Sequence, residues 1–325
     1  MLASFALFKL FPPPAFMLMP HAGLDVSDDA IRVLSYSGFG RGRRLSIHGA
    51  VDLPQGLIEG GDVKDEKEFV SRLGEFGRAH GLSYVKASIP EEKAYLFQTD
   101  VPAAERKVME QNIEFRLEEN VPLSASDAVF CFDPVSYAGT GSLRVSVTAV
   151  PLAYVEHYTS LLRSAGLVPV AFETAPRSIA RAVVPAGSDD TRLVVHAMSR
   201  KTGIYILSGR ITSFASTVAR DAEPSDGSPA DAPVLLEKEI DRVLSYWSSH
   251  GTGKAVKEAL LVGRNAAALE DACRRGSGET PLTVRLADVW RNSLDVDRRL
   301  PPISRADSLE YAVAAGLALD ASSPA

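Results

Sequence analysis

The sequence predicts a two-lobed α/β protein, and three observations carry that expectation. An apolar strand, an acid-bearing tight turn and a second apolar strand open the patterned part of the chain, where Gly23-Leu24-Asp25-Val26-Ser27 leads into Ile31-Arg32-Val33-Leu34. The theme returns far downstream, where Leu193-Val194-Val195-His196-Ala197-Met198 leads through Thr202-Gly203-Ile204-Tyr205-Ile206. At 325 residues the chain is long enough for two such lobes. No internal repeat of fixed period argues for a solenoid instead.

Periodicity places the elements between these hairpins. Apolar alternation predicts strands over 31–36 and 45–53, ended by Pro54-Gln55-Gly56. Phe69, Leu73 and Phe76 fall on one stripe and predict a helix over 66–80, with Gly81 suited to its C-terminal cap. A strand over 83–89 closes at Pro90. A compact block follows. It has a strand over 95–99, a helix over 105–119 with Met109, Ile113 and Leu117 on one face, and strands over 129–132 and 143–150 joined by Gly139-Thr140-Gly141. A helix over 152–164 completes this α+β unit. A strand through Phe172 and a helix over 175–184 close the first half.

The second half has strands over 193–197, 202–207 and 210–216, and then a polar stretch over 219–233 that reads as a mobile loop. Further expectations are a helix over 235–250, a strand over 259–262, a helix over 265–275, a strand over 282–286, an Ala-rich helix over 308–319 and a short tail over 321–325.

Composition excludes several classes of function. Hydrophobic residues at 46% and charged residues at 23% are ordinary for a globular chain. A net charge of -6 and a pI near 5.6 argue against a general nucleic-acid binder. Arg41, Arg43 and Arg44 lie between two strand patterns and read as a solvated hairpin turn, ahead of a site for phospholipid or an acidic partner. Cys131, in an alternating strand run, reads as a buried inert thiol, and Cys273 lies far from it. The six histidines are scattered, with no zinc-ligand spacing. Residues 1–20 form a greasy leader with Phe5, Leu7, Phe8 and Phe11 before Pro12-Pro13-Pro14, and Phe16, Met17 and Met19 after it. Its apolar part is shorter than the ~20 residues a spanning helix takes. It reads as a docking segment, with peripheral membrane association one of its readings.

Two hairpins of this kind resemble the phosphate-gripping turns of the actin/Hsp70/hexokinase superfamily. Within it, the order of motifs is similar to the PilM family of actin-like proteins of type IV pilus assembly, with FtsA and the type II secretion L protein as relatives. The residues carrying the resemblance are Gly23-Leu24-Asp25-Val26, Leu53-Pro54-Gln55-Gly56-Leu57-Ile58-Glu59-Gly60-Gly61, Ser88-Ile89-Pro90, Glu118-Glu119-Asn120-Val121-Pro122-Leu123, Ala165-Gly166-Leu167-Val168-Pro169, Glu239-Ile240-Asp241-Arg242, Leu261-Val262-Gly263 and Ala314-Ala315-Gly316-Leu317-Ala318. The resemblance implies a bilobed actin-like α/β fold, a duplicated ribonuclease H-like unit, with an inserted α+β subdomain of the FtsA/PilM type. On that reading the leader spans 1–20. The first lobe spans 21–90 with 168–190 and the helix 305–320, the insertion spans 91–167, and the second lobe spans 191–304.

The resemblance also implies a nucleotide site. Backbone N–H groups of both turns would wrap phosphates, and acids would hold Mg²⁺ through water. The positions that match are Asp25, Ser27, Asp28, Ser199, Thr202, Glu239, Arg242, Gly263 and Arg264, with Asp25 as the metal partner. Asp25 has an equal alternative reading, as a cap of its own turn. Glu239 and Arg242 read equally well as a surface salt bridge. The pattern is altered at several of these positions and beside them. Ser27 stands for a glycine, with Asp28 and Asp29 beside it, His196 stands for the second acid, Met198 for the second glycine, and Arg264 for a glycine after Gly263. Hard Mg²⁺ prefers oxygen to imidazole, and extra carboxylates repel a triphosphate. ATP and Mg²⁺ are therefore expected to bind weakly or not at all, and catalysis is not expected.

By resemblance the chain is a cytoplasmic scaffold at the inner face of the membrane, in the platform of a pilus, pseudopilus or related secretion machine. It would bind the cytoplasmic N-terminal peptide of a PilN-like membrane protein, in a groove lined from the 105–119 helix and nearby strands, and other platform proteins, with no nucleic acid. Two rivals stand beside it. One is an active ATPase or kinase of the same superfamily. The other is an FtsA-like membrane-bound filament, although Ser322-Ser323-Pro324-Ala325 does not resemble that family's C-terminal anchor.

Overall fold

The computed structural model describes residues 20–38, 42–137, 141–219, 231–250, 254–278 and 282–319. The leader 1–19, the tip with Arg41, Gly139-Thr140, most of the 219–233 stretch and the tail 320–325 lie outside the described residues.

Continuous apolar runs form strands where both faces of a sheet are covered. In the first lobe these are β1 (Ala22–Val26), β2 (Ala30–Ser37), β3 (Arg44–Asp52), the two-residue β4 (Ile58–Glu59) and β5 (Asp62–Val63), and, after α1 (Glu66–Ala79), β6 (Tyr84–Ile89). Asp65 caps α1 by accepting from the Glu68 amide at 3.0 Å. Next come β7 (Tyr95–Pro102), α2 (Arg106–Asn120), β8 (Ala128–Tyr137), β9 (Ser142–Pro151) and α3 (Leu152–Ser164), then β10 (Val168–Thr174) and α4 (Ala175–Val183).

The second lobe contains β11 (Thr191–Ala197), β12 (Lys201–Ser208), β13 (Ile211–Ala219), α5 (Asp231–His250), β14 (Glu258–Gly263), α6 (Glu270–Gly276) and β15 (Thr283–Leu286). The chain then runs into α7 (Arg305–Ser308) and α8 (Ala312–Leu317).

The duplication is explicit in the sheets. One runs β3-β2-β1-β6-β10 and the other β13-β12-β11-β14-β15. In each, three antiparallel strands from a hairpin and its successor are followed by two parallel strands. This is the bilobed actin-like arrangement that the two hairpins predict. A separate antiparallel sheet, β7-β9-β8, carries α2 on one face, where Ile113 packs with Val145 and Val147. Helix α3 instead buries Tyr158, Leu161 and Leu162 against Phe69 and Leu73 of α1.

Two expected helices are broken. The 265–275 segment begins with Asn265 at φ 57, continues as a 3₁₀ turn over Ala266–Leu269 and becomes α-helical only at Glu270. The 308–319 segment passes through a 3₁₀ turn at Leu309–Tyr311 before α8. Cys131 corrects its expectation by being exposed. Strand alternation turns its neighbours Phe130 and Phe132 toward α2 and leaves Cys131 on the opposite face.

Helices α4 and α8 pack in the same apolar cluster as β11, β12 and β14, while α8 also lies on β1 of the first lobe. A buried ion cluster fixes them there. Arg181 donates to both oxygens of Glu173 at 2.8 and 2.7 Å and to the Gly316 carbonyl at 2.8 Å, and Lys86 lies 3.4 Å from Glu173. The helices meet backbone to backbone, since a Cβ on Gly316 would fall 1.8 Å from the Ser178 carbonyl oxygen. Gly316→Ala is therefore expected to cost about 3 kcal/mol or more, at or beyond the upper end of overpacking penalties. A urea midpoint within error of wild type would contradict that packing.

Candidate functional site

The two hairpin turns face each other across the cleft between the lobes. β1 ends at Val26, and its amide donates to Ser88 Oγ at 2.9 Å. Ser88 in turn donates to Asp25 at 3.0 Å. Asp25 is buried, and that burial raises its pKa despite Arg32 nearby and the Ser88 hydrogen bond. Ser27 does not point at open space. Its hydroxyl closes the turn on Asp29 at 2.8 Å and on the Ala30 carbonyl at 3.0 Å.

Opposing groups tie the turns together directly. Lys201 Nζ lies 3.4 Å from Asp28 and also donates to Glu92, just after β6. Burial works against its charge, yet Glu92 and Asp28 hold its pKa above the ordinary value. Ser199 donates to Asp29. Burial pushes Asp29 up, but hydroxyls of Ser199 and Ser27 outweigh it and hold the carboxyl below its usual range. At the other end of the cleft Arg264 bridges Asp52 at 2.9 Å and Glu310 at 3.3 Å, and Glu310 also takes Arg32 at 3.0 Å.

Deeper in, Tyr205 donates to Glu91, which also accepts from Thr217 at 3.2 Å. Tyr205 is fully buried and lies back over Gly203, where a Cβ would stand 1.9 Å from its hydroxyl. Burial lifts Glu91 to about 7 against that hydrogen bond and the charge of Lys201. His196 stays neutral, because burial first, then Arg32 and Lys201, depress it to about 3. Its Nδ1 has no partner among the described residues.

Of the sequence candidates, Asp25, Ser27, Asp28, Gly263 and Arg264 line the cleft, and Ser199 reaches its rim through Asp29. Gly263 adopts φ +94, and a Cβ there would fall 2.1 Å from the Ala197 carbonyl. Thr202 is buried in β12 opposite Ala197 and does not line the cleft. Glu239 and Arg242 lie away from it. Glu239 accepts from Ser216 at 2.8 Å and from Arg242 at 2.8 Å, and the Arg242 side chain is exposed. Sequence reasoning missed Glu91, Glu92, Arg32 and Glu310. The available signals were an acid pair directly after a strand-ending proline and a lone arginine inside the apolar run of β2.

These residues do not fit a magnesium nucleotide. The space left in the cleft is about 40 Å³, room for about three waters, whereas ligand pockets run to roughly 300 Å³ and above. The three cations that line it are already taken by acids, Arg32 by Glu310, Lys201 by Asp28 and Glu92, and Arg264 by Asp52 and Glu310, so a phosphate would have to displace them. Among the described residues no group of three or more His, Cys, Asp or Glu is placed to hold a metal ion.

Two groups of the cleft, Glu91 and His196, give a pH signature. Glu91, raised from 4.5, stabilises the fold fully below 4.5 and loses that contribution as pH rises to about 7. His196, depressed from 6.5, stabilises fully above 6.5 and loses its contribution as pH falls towards about 3. Between 4.5 and 6.5 the two slopes oppose each other. The stability of wild type relative to Glu91→Gln should therefore fall with pH by about 1.4 kcal/mol per unit across that window. Urea titrations over the range check this, and a flat difference would sink it.

No family model matches the sequence, and no curated protein does. Among solved structures, a chain described as a PilM-PilN type IV pilus biogenesis complex aligns with a TM-score of 0.73 at 20% identity, covering 92% of this chain and 98% of that one. The cytoplasmic domain of EpsL, an inner membrane component of the type II secretion system of Vibrio cholerae, gives 0.45 at 10% identity, covering 74% and 80%. The ethanolamine utilization protein EutJ from Carboxydothermus hydrogenoformans gives 0.47 at 13% identity, covering 93% and 90%. The first of these, over nearly the whole of both chains, shows a PilM-like, actin-like fold.

Proposed function

We propose that the chain is an actin-like scaffold of a type IV pilus or related secretion platform. Its working site is then a peptide groove, and its cleft is held shut without nucleotide. One observation carries the reading. Beside the inserted sheet lies an apolar groove of about 340 Å³, walled by Val129, Val150, Phe172 and Ile89 with Thr148 and Arg177 at its polar points. The structure aligned over nearly the whole chain is described as a complex of PilM with PilN. A groove with one apolar wall and a few fixed polar groups suits a short extended or helical segment of a partner. The N-terminal peptide of a PilN-like membrane protein is the occupant we assign.

The groove is lined from β8, β9, β10, α3 and α4 rather than from the 105–119 helix. That helix, α2, packs on the other face of the sheet. Arg177 is held on the groove side by Asp133, at 3.1 Å through Nη2. Asp28, Ser199, Gly263 and Arg264 then serve closure of the cleft instead of phosphate binding. The platform's inner-membrane location follows from the same reading. Among the described residues no helix is long and apolar enough to cross a membrane.

Two measurements test it. Mg-ATP at millimolar concentration should leave the unfolding midpoint unmoved, whereas a ligand at ~100 times its Kd adds about 2.7 kcal/mol. A magnesium-dependent rise would restore the nucleotide model. Val129 is 43% exposed, so Val129→Asp should fold normally yet weaken binding of a PilN-like N-terminal peptide about tenfold or more, as for loss of an apolar contact with a charge left unpaired. Equal affinities by fluorescence polarisation would move the peptide site elsewhere.

A further inference from the structure

The end of the β2–β3 hairpin meets the turn before Pro301-Pro302 at an open depression of about 740 Å³. Arg43 and Arg44 line it from one side, and Arg298, Arg299 and Leu300 from the other, with Asp295 the only acid among the described lining residues. The hairpin arginines, expected to be a plain solvated turn, are therefore half of a cluster assembled from opposite ends of the sequence. Arg43 is fixed, donating to the Asn292 carbonyl at 3.3 Å and lying 5.7 Å from the Tyr36 ring. Among the described residues no carboxylate pairs with Arg44, Arg298 or Arg299. Several arginines elsewhere are matched to acids, as Arg144 is to Asp100 and Arg192 to Glu258; what sets this face apart is that four line one depression.

Arg44, Arg298 and Arg299, without a carboxylate partner among the described residues, repel one another unless an anion relieves them. The chain as a whole is acidic, so this face stands out by sign. Leu300 is 83% exposed and sits between Arg299 and two prolines whose rings stiffen the turn that holds it out. An exposed leucine alone means little. Ringed by arginines, it matches a surface that offers phosphate and hydrocarbon at adjoining depths. A nucleic-acid backbone offers the negative charge without the hydrocarbon.

We propose that this face docks on a membrane surface bearing anionic phospholipid, with headgroup phosphates in the depression and Leu300 in the acyl boundary. Each arginine near such a surface adds about fivefold to partitioning.

The test is co-sedimentation of the full chain with vesicles of phosphatidylcholine, with and without roughly one-third phosphatidylglycerol, at ~0.1 M and ~0.5 M salt. The wild type should bind the anionic vesicles at low salt and lose that affinity at high salt. R298Q/R299Q should bind about 25-fold more weakly, with an unchanged unfolding midpoint because neither side chain is paired among the described residues. Leu300→Asp should weaken binding, and Leu300→Trp should retain it with a blue-shifted emission. The leader 1–20 is common to all variants and cancels in these ratios. Equal affinity of wild type and R298Q/R299Q, or no preference for anionic over neutral vesicles, would overturn the proposal.

Discussion

A single ammonium group organises the centre of this molecule. Lys201 opens β12 and places its charge between Asp28, in the first hairpin turn, and Glu92, just beyond β6. A partly buried cation in a small space costs less when paired, and its partner acids cost more if it is lost. The lysine therefore holds three segments from both halves of the chain to one geometry. In a fold that grips nucleotide, phosphate and metal stand between the two turns and receive their hydrogen bonds. Here the turns receive each other, and Ser199 on Asp29 repeats the contact one register along.

The charges around that contact do not balance by count, and burial acts against the unbalanced ones. Asp25 and Glu91 are both pushed toward their neutral forms by burial. Burial, and then the charges of Arg32 and Lys201, push His196 toward its neutral form as well. The push of these three groups toward their neutral forms favours the ionised pairs, Lys201 with its two acids and Arg264 with Asp52 and Glu310, sitting in one small space. The substitutions that look like losses in the sequence are consistent with this arrangement. A glycine at 198 or an acid at 196 would serve a phosphate or a metal that this lining does not suit.

The strands were legible because burial on both sheet faces leaves an apolar run that local pattern exposes, as in Leu193-Val194-Val195. The two hairpins were legible because duplication repeats a pattern within one chain. What stayed hidden were contacts between residues distant in sequence. Glu91 reads as a solvated acid after a proline until Tyr205 is seen to donate to it. The Arg43 pair reads as a turn until Arg298 and Arg299 are placed beside it. Glu239 and Arg242 share a helix face, and that local fact holds, but no local fact could say that the face points away from the cleft. Cys131 was misread because alternation gives the period of a strand, not which of its two faces is covered.

The same long-range geometry joins the cleft to the groove. Ile89, the last residue of β6, lines both. Pro90 follows it and then Glu91 and Glu92, the two acids that clasp the second lobe. On the other strand of the junction, Thr174 lines the groove and Ala175 the cleft. The groove wall and the closure thus share two adjacent pieces of backbone, and close-packed cores transmit small displacements rather than absorbing them. A ligand that prefers one spacing of those pieces must shift the other, and the coupling runs equally in both directions. On this account the ion pairs across the cleft do more than replace a nucleotide. If the groove takes a partner as proposed, they set the spacing its occupant meets, and the side chains that fill the altered turns then act on binding without touching the partner.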